Sequence, residues 1–174
     1  MNCHGVVVFP SAQSGSIVND FPAGTEFHSI SFNGAYEVQG NRILIASAIQ
    51  VSGNAIVAIP ADITLKGALL TTNIDMIVGA GSTLWITGDI DSQQDATLRK
   101  LAGGLLSLSG ANTFTSSVLV NEGVLRTSHA QGLGTTNRGT TVAAGAALLL
   151  GIPGGPTIGE PLSLAGDGTP APGD

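Results

Sequence analysis

The stretch LSLSGANTFTSSVLVNEGVL, residues 106–125, contains one aromatic residue, one charged residue and no histidine or cysteine. Apolar and small polar residues alternate along it, and the alternation breaks at glycine and asparagine. A period of two predicts short β-strands that each bury one face, and glycine and asparagine predict the turns between them. Whether the whole chain is built this way depends on whether the pattern recurs.

The pattern recurs along the chain at a nearly constant spacing. Its marker glycines are Gly81, Gly103, Gly123 and Gly145, which lie 22, 20 and 22 residues apart. One further step of 21 residues reaches Gly166. One such unit cannot bury its apolar face alone, whereas stacked units bury a continuous stripe of valine, leucine and isoleucine. The chain is therefore predicted to be all-β, a right-handed, single-stranded parallel β-helix (a solenoid) with coils of about 21 residues.

The corners of the coils are predicted from the same residues. Glycine tolerates a positive φ at little cost, so the marker glycines are expected to supply that conformation where the chain turns. Asparagine adopts it more readily than most residues. The asparagines expected at corners are Asn73, Asn112, Asn121 and Asn137.

The boundaries of the solenoid are predicted from changes in the pattern. Residues 29–168 are expected to form the β-helix repeats, the sharpest of them at 103–134. Residues 1–28, which contain prolines and irregularly spaced glycines, are expected to form a lead-in or cap, and residues 169–174 a frayed tail. Because the chain stops within what reads as a further repeat, we expect it to be a truncated fragment.

The composition argues against several kinds of partner. The net charge is −6, and the six lysine and arginine residues are scattered, whereas a phosphate-binding surface needs clustered basic residues. Nucleic acid and an anionic membrane surface are therefore poor partners. The single cysteine, Cys3, excludes an internal disulfide and a zinc site of paired cysteines, and is predicted to be a free thiol. No apolar run approaches the ~20 residues that span a bilayer, and no cofactor is expected.

One stretch carries residue types that a polysaccharide-degrading β-helix needs. GDIDSQQD contains Asp89, Asp91 and Asp95, and the first two would share one face of a strand, where they could bind calcium or transfer protons. The alternative, which we favour, is that they are solvated turn residues, because calcium needs many oxygen ligands and no calcium-loop pattern is present. Arg99 and Lys100 would complete a lyase site, but are predicted to be surface charges on alternate faces of a strand.

The remaining candidates for a functional site are isolated. Trp85 lies between Leu84 and Ile86, so alternation directs it away from the core, where it is a candidate for contact with a carbohydrate ligand. Phe114 is expected to cover a corner. The three histidines are His4, His28 and His129, and none of them belongs to a recognisable catalytic triad. His28 is predicted to lie at the surface.

Residues 103–134, GGLLSLSGANTFTSSVLVNEGVLRTSHAQGLG, resemble the autotransporter-associated β-strand repeat. In that family a Leu-x-Leu-x-Gly strand leads to an Asn-Thr-Phe/Tyr-Thr turn and then to a Val-Asn-x-Gly-x-Leu strand. The chain departs from the family at Ser116 and Ser117, where the family has Gly-Gly or Gly-Thr. The positions that match are Leu106, Leu108, Gly110, Asn112, Thr113, Phe114, Thr115, Val120, Asn121, Gly123 and Leu125.

The resemblance implies a function as a β-helical passenger, a stalk that is secreted to or across the outer membrane of a bacterium. It also implies that the full-length protein carries a signal peptide and often a C-terminal translocator barrel. We expect a structural, non-enzymatic segment at the cell surface or outside the cell. It would stack on further β-helix coils of its own chain and contact a glycan or a surface protein of a host or neighbouring cell.

Two other functions stay open. One is a carbohydrate-active β-helix enzyme, a polysaccharide lyase or hydrolase, with Asp89, Asp91 and Arg99 in its groove. The other is a glycan-binding module that uses the face around Trp85.

Overall fold

The computed structural model describes residues 5–66, 73–152, 154 and 158–165, and these residues form strands, turns and irregular segments without a helix. Accordingly, no helix that could cross a membrane occurs in these ranges. The strands, in chain order, are β1 (Val6–Phe9), β2 (Gly15–Asn19), β3 (Glu26–Phe32), β4 (Tyr36–Gly40), β5 (Ile43–Val51), β6 (Ile56–Ile59), β7 (Ile63–Leu65), β8 (Asn73–Val78), β9 (Thr83–Ile86), β10 (Ile90–Ser92), β11 (Thr97–Leu101), β12 (Leu105–Leu108), β13 (Ser117–Val120), β14 (Val124–Thr127), β15 (Thr140–Val142), β16 (Ala147–Leu150) and β17 (Leu162–Leu164).

The strands form two long parallel sheets. A seven-stranded sheet stacks β2, β4, β6, β9, β12, β14 and β16. A ten-stranded sheet stacks β1, β3, β5, β8, β11, β13, β15 and β17, with β7 and β10 continuing from the first half of β5 as a short third ladder. The chain passes repeatedly from one sheet to the other and so winds as a β-solenoid of about seven turns, about 22 residues apart. The predicted solenoid is confirmed.

The core is built from rows of side chains, because the strand register is kept from coil to coil. In the seven-stranded sheet, Val57, Leu84, Leu106 and Leu125 stand in one fully buried row. Burying an aliphatic side chain of this size contributes about 1.5–3 kcal/mol, so each added coil extends the stabilising stripe. The corresponding row of the ten-stranded sheet runs through Ile49, Met76, Lys100, Val120 and Val142.

The N-terminal boundary lies earlier than the sequence pattern indicates. β1 and β2 already pair with β3 and β4, and the boundary placed between residues 28 and 29 falls inside β3. The rings of Phe9 and Phe32 stack with their centroids 4.9 Å apart, and the Tyr36 hydroxyl donates to the carbonyl oxygen of Pro10 at 2.7 Å. Aromatic contacts thus fasten this first coil. At the other end, β17 pairs with β15, whereas Gly166 and the predicted tail at 169–174 lie outside the described residues.

The corners follow the predicted glycines only in part. Gly81, Gly123 and Gly145 have φ of 75°, 69° and 80° at the turns that enter the seven-stranded sheet. At the equivalent turn between β11 and β12, the positive φ of 64° belongs to Ala102 and not to Gly103. None of Asn73, Asn112, Asn121 and Asn137 has the positive φ predicted for it, and among the described asparagines Asn54 has one, at 57°.

Candidate functional site

The single tryptophan lies on the outer face of the seven-stranded sheet. Its neighbours in β9, Leu84 and Ile86, are buried, so Trp85 points outward and 44% of its surface is exposed. Two rows of side chains share this face, which we call the Trp85 face. The Trp85 row is Glu37, Ala58, Trp85, Ser107, Arg126 and Leu149, and the adjacent row is Ile56, Thr83, Leu105, Val124 and Ala147.

Asp89 and Asp91 flank the buried Ile90 and so share the outer side of the short ladder, as their spacing indicates. Each carboxylate is held by a different partner. The Arg42 guanidinium lies between two carboxylates, with Nη1 2.5 Å from Oδ2 of Asp91 and Nη2 3.0 Å from Oδ2 of Asp62. Asp89 Oδ1 accepts the backbone N–H of Ala111 at 2.7 Å. These groups join neighbouring coils.

Asp95 lies apart from this cluster at the coil surface. Its Oδ1 accepts the hydroxyl of Thr115 at 3.0 Å, and its Oδ2 pairs with Arg138. The Thr115 hydrogen bond, followed by the charge and hydrogen bond of Arg138, lowers the pKa of the Asp95 carboxyl. In the described ranges, no group of three or more histidine, cysteine, aspartate or glutamate side chains is arranged to hold a metal ion.

Arg99 is held by an aspartate of the neighbouring coil on the outer face of the ten-stranded sheet. Its Nε and Nη2 donate to Oδ1 and Oδ2 of Asp75 at 2.7 and 2.8 Å, a bidentate pair that raises the pKa of the guanidinium. The lyase arrangement proposed from the sequence would need this guanidinium beside Asp89 and Asp91. In the structure, the Arg99 guanidinium instead pairs with Asp75.

Lys100 contradicts the prediction of a surface charge, because it points into the core and is 1% exposed. Its Nζ donates to the backbone carbonyl oxygens of Leu101 at 3.0 Å, of Ala102, and of Glu122 at 3.1 Å. Burial lowers the pKa of Lys100 to about 8, and the charge of Glu122 opposes that shift. The buried ammonium therefore binds the corner where Ala102 takes its positive φ.

The motif residues between β12 and β13 are structural. Asn112 is 1% exposed; its Oδ1 accepts the N–H of Ile90 at 2.9 Å, and its Nδ2 donates to the carbonyl oxygen of Gly132 at 2.7 Å. It thus links the coils before and after its own. The backbone N–H of Thr113 donates to the carbonyl oxygen of Ile90 at 2.8 Å. Phe114 is fully buried in the core, where its ring packs against the turn at Gly134. Asn121 is exposed.

The two histidines in the described ranges, His28 and His129, lie in separate places. His28 is exposed in β3, as predicted, and His129 accepts the N–H of Gln131 on Nδ1 at 3.2 Å. His4 and Cys3 lie outside the described residues.

An open cleft of about 560 Å³ lies beside the Asn112 corner, between residues 111–113, 130–136 and 158–160. Glu160 lines it, and burial raises the pKa of this carboxyl, while a hydrogen bond from the Thr140 hydroxyl acts in the opposite direction. Sequence reasoning did not single out Glu160, because a lone glutamate in a Gly-Pro-rich segment belongs to no chemical pattern. The cleft joins small and polar side chains and contains one carboxyl group, which is a sparse set for catalysis.

The chain matches no protein-family model, no curated protein and no solved structure.

Proposed function

We propose that the chain is a structural β-solenoid segment of an exported bacterial surface protein, a stalk that sets the distance between the cell and whatever the stalk carries. The observation that supports this most directly is the use of charged side chains. The ion pairs of the described residues join side chains of different coils: Glu26–Lys66, Arg42–Asp62, Arg42–Asp91, Asp75–Arg99 and Asp95–Arg138. Charges used in this way fasten a rod along its length.

The residues behind the autotransporter-repeat resemblance support the same proposal. Leu106 and Leu125 fill one core row, Asn112 bridges successive coils, and Gly123 turns the chain with a positive φ. A Cβ at Gly123 would lie 2.5 Å from the carbonyl oxygen of Ala102, so the close approach of the coils needs glycine there. These four motif positions thus take part in stacking coils.

Surface location is tested with an antibody raised against the recombinant chain. Intact cells of the source bacterium are treated with proteinase K, and the chain is followed by immunoblotting beside a periplasmic and a cytosolic control protein. We expect the chain to be degraded while both controls survive. Protection of the chain until the cells are lysed would contradict export to the surface.

The same recombinant chain tests the enzyme alternative. Asp89→Asn/Asp91→Asn is compared with the parent on uronate polymers, with cleavage followed by the absorbance of new unsaturated ends. We expect no cleavage by either protein. Cleavage by the parent that disappears in the variant would establish a lyase and overturn the stalk proposal.

A further inference from the structure

The two sheets differ in what their outer faces carry. On the ten-stranded sheet, one outward row runs through Val6, Ser29, Ala48, Asp75, Arg99, Leu119 and Thr141. Its one large apolar side chain with more than a third of its surface exposed is Val6, at the end of the rod, and the charges of Asp75 and Arg99 pair with each other. The Trp85 face instead exposes 44% of Trp85 and 51% of Ile56, with Leu105, Val124 and Leu149 partly exposed nearby. Large apolar side chains aligned on one flat sheet favour contact with another surface.

The charges of the Trp85 face are placed symmetrically. In the Trp85 row, Glu37 stands in β4, two strands before β9, and Arg126 stands in β14, two strands after β9. At about 4.8 Å per strand, each lies about 10 Å from Trp85, on opposite sides. Among the described residues neither forms an ion pair; Glu37 accepts a hydrogen bond from Gln39.

This arrangement is self-complementary under a two-fold rotation about an axis along β9. When two copies pack with these faces together and their solenoid axes antiparallel, Glu37 of each copy lies opposite Arg126 of the other. Trp85 meets Trp85, the small Ala58 meets the small Ser107, and Ile56 meets Leu105. The same operation therefore matches the charges, the small residues and the apolar residues.

We propose that the Trp85 face is the interface of an antiparallel homodimer of this chain. The face measures about 30 Å along six strands and about 13 Å along four residues, or about 400 Å² per copy. A stable interface covers about 800 Å² per partner, so the dimer is weak in solution, with a Kd on the order of 100 μM. Chains crowded on one surface would associate more strongly, because the second contact is then made at high effective concentration.

The test is sedimentation equilibrium between about 10 μM and 1 mM at low salt, where charge pairs across a small interface act most strongly. The parent should follow a monomer–dimer curve. Glu37→Arg and Arg126→Glu each place like charges opposite one another and should weaken the dimer about tenfold. The double variant Glu37→Arg/Arg126→Glu restores opposite charges and should recover the parent Kd. Recovery separates a contact across the interface from damage to the fold.

The matched control is Asp20→Arg, which makes the same change of charge as Glu37→Arg at an exposed position outside the Trp85 face. It should leave the dimer unchanged. Trp85→Ser should abolish the dimer while the circular dichroism spectrum stays that of the parent, since Trp85 packs outside the core.

Three results would overturn the proposal. One is a monomeric parent at 1 mM, and another is a double variant as weak as the single variants. The third is association beyond dimers that ignores the charge variants, which would indicate end-to-end stacking through β1 and β2 on β16 and β17. A monomeric parent that binds an immobilised glycan, and loses binding in Trp85→Ser, would assign the face to carbohydrate.

Discussion

At the scale of a residue, Lys100 shows how one coil satisfies a corner that lacks a glycine with positive φ. Neighbouring coils fill the same row with Met76 and Val120, so the stem of Lys100 packs as an apolar side chain would. Its ammonium group reaches the carbonyl oxygens at the Ala102 turn. A charge kept in this place couples the stability of the corner to pH.

Lys100 predicts an unusual alkaline stabilisation. Its pKa in the folded chain, about 8, lies below the ordinary value of 10.5, so the unfolded chain binds more protons between these two pH values. The free energy of unfolding should therefore rise from pH 8 to pH 10.5, by at most about 3 kcal/mol for this group. Urea unfolding of the parent and of Lys100→Met at several pH values measures the difference. If the free energy of unfolding of the parent and of Lys100→Met changed with pH in the same way, Lys100 would make no such contribution.

At the scale of an element, the segment from β12 to β13 is held by side-chain bonds where sheet hydrogen bonds end. Asn112 replaces a missing ladder bond on each side by pairing with Ile90 below and Gly132 above. Phe114 fills the core beneath the same segment, where a Cβ on Gly134 would lie 2.6 Å from its ring. The turn is therefore specified by tertiary contacts and not by its own backbone conformation.

Asn112→Ala should cost about 2–4 kcal/mol of unfolding free energy, because it leaves a buried N–H and a buried carbonyl oxygen without their partner. Asn121→Ala is the matched control, since both asparagines belong to the repeat motif but Asn121 is exposed. It should change stability by less than about 0.5 kcal/mol. Urea unfolding compares the two variants with the parent. Equal losses would mean that the motif asparagines act through the turn and not through burial.

The solenoid could be predicted from the sequence because Gly81, Gly123 and Gly145 recur at the same period as the alternating apolar residues. The recurring glycines and the apolar alternation are both consequences of stacking one coil on the next. The first coil escaped prediction because its aromatic contacts, Phe9 on Phe32, replace that pattern. The burial of Lys100 was missed for a different reason. Alternation from the buried Leu98 directs Lys100 into the core, but a charged residue is ordinarily assigned to the surface.

The candidate site was less predictable than the fold. The spacing of Asp89 and Asp91 indicates a shared face, and the alternation around Trp85 indicates that the ring points outward. Their partners could not be read, because Arg42 and Asp91 are 49 positions apart and meet only through the register of three stacked strands. Glu37 and Arg126 become a symmetric pair for the same reason, once the strand order is known.

At the scale of the whole molecule, each coil is stabilised by its two neighbours, and the end coils have one neighbour each. Among the described strands, β1, β2, β16 and β17 lie at the two ends of the rod, and Val6, Val8 and Leu164 are exposed on them. Stability should therefore decrease from the centre of the rod towards its ends.

Hydrogen–deuterium exchange read by mass spectrometry tests this gradient. Amides of β9, β11 and β12 should exchange slowest, and those of β1, β2, β16 and β17 at least about tenfold faster. The measurement is made at about 10 μM, where the proposed dimer is dissociated. End strands protected as well as β11 would contradict the gradient and would mean that another surface covers the ends.

The parallel, in-register ladders also determine how the molecule would respond to a pulling force along its axis. A coil of about 22 residues occupies about 4.8 Å of the folded rod but about 75 Å when its chain is drawn straight. Because each coil is bonded only to its neighbours, tension applied at one end would peel coils off singly from that end. The rod would then behave as an extensible tether that lengthens in steps and dissipates load, with the coils behind the peeling point still folded.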